Sequence, residues 1–128
     1  MPADPAGVEP AWMPPISELV VDPGLRSMSF RFQVSRDLPV FRGHFPGAPI
    51  VPGIMQIGWV VEMARTHRLA SGCCTGIVTA KFRRLLLPGM AIEATAERAA
   101  RPGQLRFSLR CRGEEVSTGR LQFGARDD

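Results

Sequence analysis

The chain's 128 residues, 45% of them apolar, suffice for one hydrophobic core and leave no room for a second domain. A net charge of +4 and a pI near 9.8, carried by arginine except for Lys81, suit an acidic partner. The arginines are nevertheless dispersed among strand-like segments, without the basic helix, zinc-finger spacing or RNP-like aromatics of a nucleic-acid binder, and no apolar run is long enough to span a membrane.

Residues 1–15 carry Pro2, Pro5, Pro10, Pro14 and Pro15 without an apolar period and read as an irregular arm, whose Trp12 and Met13 are the residues able to pack on the body. Residues 16–128 read as a single domain. Ile16 to Val21 suits either a short helix or a strand, and Asp22, Pro23 and Gly24 close it with a turn. Met28, Phe30, Phe32 and Val34 then alternate with Ser29, Arg31, Gln33 and Ser35, the period of a half-buried strand.

Phe41 to Glu62 is the stretch richest in chemistry. Pro46, Pro49 and Pro52 fix backbone angles and Gly43, Gly47 and Gly53 permit turns or close approach, so the loop can hold His44 still. A helix is expected from about Pro52 to Leu69, with Ile54, Met55, Ile57, Val60, Val61, Met63 and Ala64 spread round it so that most sides are buried. Pro52 suits the first turn because it lacks an amide hydrogen, which makes Gly53 the first N–H that can face a ligand. A histidine base beside a helix start favours chemistry in which negative charge develops. His67, near the helix end, reads as an exposed or dipole-complementing residue.

Beyond Gly76, strands are expected over 77–87, 91–100, 105–112 and 116–123, separated by Pro88-Gly89, Pro102-Gly103 and Gly113. One helix followed by a meander of strands is an α+β arrangement. Arg106, Arg110, Arg112 and Arg120 fall mostly on the polar positions of these strands. Cys73, Cys74 and Cys111 are an odd number without partners at metal-ligand spacing, and no basic-then-apolar leader opens the chain. Small hydrophobic filler in a reduced cytoplasm is the expectation.

The segment GHFPGAPIVPGIMQI resembles the active-site motif of the (3R)-hydroxyacyl-ACP dehydratases of the FabA/FabZ type, and Lys81, Phe82, Arg83, Arg84, Pro88 and Gly89 match that family's KF(K/R)R…PG signature. Trp59 after the Gln56-Ile57 pair is most similar to the ApeI-like branch, associated with aryl-polyene synthesis. The resemblance implies a hotdog fold, an antiparallel sheet wrapped round one long helix. It implies that the substrate arrives on the phosphopantetheine of acyl carrier protein, with no other cofactor and no metal. It further implies a homodimer or higher homo-oligomer, with each site built from the histidine loop of one subunit and the helix of the other. On this reading His44 is the base and the Gly53 amide the oxyanion donor. Phe45, Val51 and Gly58 border the substrate, and Arg83 and Arg84 contact the carrier.

One position departs from the pattern. The family's acid, Asp or Glu fourteen residues after the histidine, is here Gly58, which leaves room for a water or a bulkier acyl chain. Glu62 lies one turn further along the same face, about 6 Å away along the axis. It either acts as the acid through a bridging water or is a satisfied polar residue that pairs with Arg65 or bonds Thr66. Three functions therefore stay open: a dehydratase in fatty-acid or aryl-polyene-type synthesis, a catalytically weak hotdog protein that binds acyl-ACP as scaffold or partner subunit, and an acyl thioesterase. A paralogue that carries the acid and completes the site as a heterodimer partner belongs to the second.

Overall fold

The computed structural model describes residues 12–41 and 49–124. Six strands, β1 (Ile16–Val21), β2 (Ser27–Gln33), β3 (Cys73–Phe82), β4 (Ala91–Arg98), β5 (Gln104–Cys111) and β6 (Glu114–Gly124), form one antiparallel sheet in the order β1-β2-β4-β5-β6-β3. A single helix, α1 (Gly53–Thr66), follows a short 3-10 turn at Pro39–Phe41. Ile16 to Val21, open between helix and strand in sequence, is a strand because it pairs with β2.

Alternation decides which face of the sheet meets the helix. Met28, Phe30 and Phe32 of β2, Ile92, Ala94 and Ala96 of β4, Leu105, Phe107 and Leu109 of β5, and Leu121 and Phe123 of β6 are all buried. Against them α1 lays Gln56, Ile57, Trp59, Val60, Met63 and Ala64. The Trp59 ring meets Phe32 edge-on at 5.4 Å, and Phe32 in turn stacks on Phe30 at 6.0 Å. Full burial of each large apolar side chain in this layer contributes about 1.5–3 kcal/mol relative to exposure. Ala94 and Ala96 lie on β4, the strand that α1 approaches, and such small side chains let a helix backbone come close.

The helix buries one face rather than most of its circumference, because the sheet covers only that side. Ile54 is 69% exposed, and Met55, Gly58, Val61 and Glu62 are half-buried. It also ends sooner than expected. Arg68 turns into the left-handed region (φ 65), Leu69 N–H donates to Ala64 O at 2.8 Å and Arg68 N–H to Arg65 O at 3.2 Å, a Schellman closure with Leu69 and Ala64 both buried.

β3 begins at Cys73 and stops at Phe82, four residues earlier at its start and five at its end than the apolar run of 77–87 suggests. Cys73 and Cys74 pair with Gly124 and Phe123, while Leu85 to Leu87 leave the sheet as a strap with Leu86 fully buried. Beyond the strap, Gly89 N–H donates to Val34 O and Val34 N–H to Met90 O, which ties the crossing to the end of β2. The turns at Gly89, Gly103 and Gly113 all have positive φ, as their positions between strands demand. No described helix is long and apolar enough to cross a membrane.

Gly119 of β6 has no room for a side chain: a Cβ there would stand 2.6 Å from the Phe107 ring and 2.6 Å from Thr79 O. Gly119→Ala should therefore lower stability in urea unfolding by about 1–3 kcal/mol, whereas Gly76→Ala, which meets nothing within 4 Å, should stay within about 0.5 kcal/mol.

Candidate active site at the start of the helix

Pro52 takes the N-cap position of α1 with extended angles (φ −60, ψ 149) and offers no side-chain cap. Met55 and Gln56 N–H close onto Pro52 O at 3.0 and 3.2 Å, so Gly53 and Ile54 are left as the amides without an acceptor inside the helix. Together with the helix dipole they make the start of α1 electropositive.

The approach to this point is held from both sides. Val51 N–H donates to Leu86 O at 2.9 Å, and Gln56 Nε2 reaches back to donate to Val51 O at 3.2 Å. Gln56 is only 2% exposed, and its Oε1 finds no donor among the described residues. Sequence reading placed Gln56 in a motif but gave it no task; the clamp exists only once the Leu86 strap folds back beside Val51. Val51 itself is buried in the core, so its side chain supports the helix start from behind.

The group that approaches Gly53 closely in this structure is an aromatic ring. A Cβ on Gly53 would lie 2.6–2.9 Å from the Phe82 ring, which stands half-exposed at the end of β3. Phe82, Ile54 and Leu85 thus leave exposed apolar surface on residues next to the helix start.

The space at Gly58 is bordered on one side by an aromatic ring. The Trp12 ring comes within 3.7 Å of where a Cβ of Gly58 would stand, and Trp59 Nε1 donates to Trp12 O at 3.2 Å. A β-carbon there would meet the indole in ordinary van der Waals contact. Four residues on, Glu62 is half-buried and accepts a hydrogen bond from Thr66 Oγ1 at 3.2 Å, one of the two partners expected if it is a satisfied polar residue. Gly58 and Glu62 share the outer face of α1 with Ile54.

His44 and Phe45 lie outside the described residues, and so does Arg42. Arg83 and Arg84 follow β3 directly, and both are ion-paired to the start of β6: Arg83 Nε with Glu115 at 2.9 Å, and Arg84 with Glu114. All four side chains stay substantially exposed, so these pairs contribute at most about 1 kcal/mol each. Among the described residues, no group of His, Cys, Asp and Glu is arranged to hold a metal ion.

Against this geometry, the ApeI-like family profile, described as ApeI dehydratase, matches residues 22–120. The 3-hydroxyacyl-[acyl-carrier-protein] dehydratase FabZ of Acetivibrio thermocellus is 31% identical over 119 residues, covering 85% of this chain and 81% of that one. FabZ of Chlamydia abortus is 34% identical over 116 residues, covering 80% and 74%. Several other FabZ proteins are matched over only 53–63% of their own length. Among solved structures, the dehydratase heterocomplex ApeI:P from Xenorhabdus doucetiae is 26% identical with a TM-score of 0.77, covering 85% of this chain and 96% of that one. A mutant of the fluoroacetyl-CoA-specific thioesterase FlK, 22% identical with a TM-score of 0.51, shares the fold alone. The sheet and helix described above are the hotdog fold.

Gly53→Ala should push the Phe82 ring aside. Because that ring is half-exposed, the loss in urea unfolding should stay within about 1 kcal/mol. In a double-mutant cycle Phe82→Ala should remove most of that loss, whereas equal losses with and without the ring would mean that the helix start itself resists the methyl group.

Proposed function

This chain belongs to the ApeI-like dehydratase family, and from that we propose that it eliminates water from a (3R)-3-hydroxyacyl thioester carried on acyl carrier protein, giving the trans-2-enoyl thioester. The observation that carries the reading is the clamped, uncapped helix start at Gly53, six residues after the last glycine of the GHFPG motif in the chain.

The thioester oxygen takes the Gly53 N–H, so that charge developing on it meets the positive end of α1. His44 removes the proton at C2. The electron pair left behind forms the C2–C3 double bond as the C3–O bond breaks, and the departing hydroxyl collects a proton and leaves as water. Glu62, through a bridging water, is the proton donor closest in kind to the carboxylate that the family carries at position 58. Breaking its bond to Thr66, an exposed side-chain pair, costs little.

Two copies of the chain complete the site. β3 is an edge strand of ten residues with Ile77 and Val78 exposed, and a second β3 pairing there covers both the open backbone and the apolar side chains. Arg83 and Arg84 are free to exchange their exposed Glu115 and Glu114 partners for acidic groups of the carrier. The setting is cytoplasmic acyl-chain synthesis of the fatty-acid or aryl-polyene type. The indole over Gly58 favours a second reading, a subunit with weak chemistry of its own that works beside an acid-bearing paralogue. The FabZ-like relatives keep the dehydratase first.

Single-turnover conversion of 3-hydroxyacyl-ACP, followed by mass spectrometry, should fall on the order of a hundred- to ten-thousand-fold in His44→Ala and at least about tenfold in Glu62→Gln. A Glu62→Gln protein as fast as wild type removes Glu62 from the mechanism. A silent wild type that gains activity only with a co-expressed paralogue, seen as a heterodimer in native mass spectra, makes the partner-subunit reading the better one.

A further inference from the structure

An acyl thioester whose carbonyl sits at the Gly53 amide has two surfaces along which to run its chain. The sheet side of α1 is filled, with Trp59, Val60, Met63 and Ala64 each no more than 1% exposed. The outer side carries apolar Ile54, Met55, Gly58 and Val61 up to Glu62, and among the described residues it is only partly covered. Among the described residues, the Trp12 ring lies on this side beside Gly58, about 7.5 Å along the axis from Gly53.

We propose that Trp12 is a specificity-determining residue: its ring over Gly58 walls off the outer face of α1 and sets the length of acyl chain that the site admits. The inference rests on the acyl-thioester reading above. The ring's position is fixed by the backbone at Trp12 and directly after it. Trp12 O accepts the Trp59 indole N–H, Met13 is 3% exposed in the core, and Pro14 and Pro15 then hold the arm stiffly up to the start of β1. Because these anchors do not use the indole, the ring can be removed without releasing the arm. Gly58 is the complement of this arrangement, since the ring lies at contact distance from where its Cβ would stand.

The test is the binding of acyl pantetheine amides of increasing chain length, unreactive mimics of the thioester, measured by calorimetry. For wild type, affinity should rise about fourfold per methylene up to a cut-off and then stop. Trp12→Ala should move the cut-off to longer chains at the same gain per methylene, and Gly58→Val, which adds bulk at the same spot, should move it to shorter ones. Trp12→Phe keeps a smaller wall and should fall between wild type and Trp12→Ala, which decides the matter should the alanine variant not fold. An unchanged cut-off in folded Trp12 variants, or no cut-off in wild type, overturns the proposal, as does failure of every chain length to bind. A Trp12-dependent cut-off in a protein that dehydrates nothing upholds it while the dehydratase reading falls. Turnover whose length dependence ignores Trp12 leaves the dehydratase standing and this inference not.

Discussion

Val51 is tied down at both ends of its peptide unit, by Leu86 O on its N–H and by Gln56 Nε2 on its carbonyl, and Pro52 directly after it can turn only one way. The angle at which α1 enters the sheet follows from that constraint, and so does the direction of the Gly53 and Ile54 amides. A buried glutamine whose other oxygen goes without a donor among the described residues is a costly way to hold a backbone. Its return is a helix start that cannot drift away from the loop before it. Pre-organised donors of this sort need no rearrangement when charge develops, which is the main physical demand of an elimination next to a thioester.

A second regularity links site and scaffold. Two glycines have an aromatic ring where a side chain would stand, Phe107 over Gly119 and Phe82 over Gly53, and a third, Gly58, has the Trp12 ring in ordinary contact just beyond that position. The first lies within the sheet and is purely a matter of packing. The other two lie on α1, and their rings are partly exposed, so the same device that fills space in the core shapes the surface around the helix start.

The sequence showed the elements whose signals are local. Alternation located β2, the Pro-Gly pairs located the turns, and the GHFPG and KFRR motifs pointed to the family. What it could not show depends on residues far apart in the chain. Cys73 and Cys74 are strand residues because Gly124 and Phe123 lie beside them, and Leu85 to Leu87 run outside the sheet, where Leu86 O accepts from Val51 N–H. Arg68 ends the helix in a conformation that favours glycine, so composition pointed past it. Of the candidate site, Gly53 was legible through the proline before it. The ring on Gly58 was not, since forty-six residues separate Trp12 from it and one tryptophan in a proline-rich arm carries no period.

The central claim, elimination across C2 and C3, is tested most directly in reverse. The protein is incubated with a trans-2-enoyl-ACP in water labelled with heavy oxygen, and the acyl chain is analysed by mass spectrometry. The expected product is a 3-hydroxyacyl-ACP labelled at the C3 hydroxyl, formed only in the presence of the protein. Label found instead in a released carboxylate would make the chain a thioesterase, and no label in either position would contradict a dehydratase.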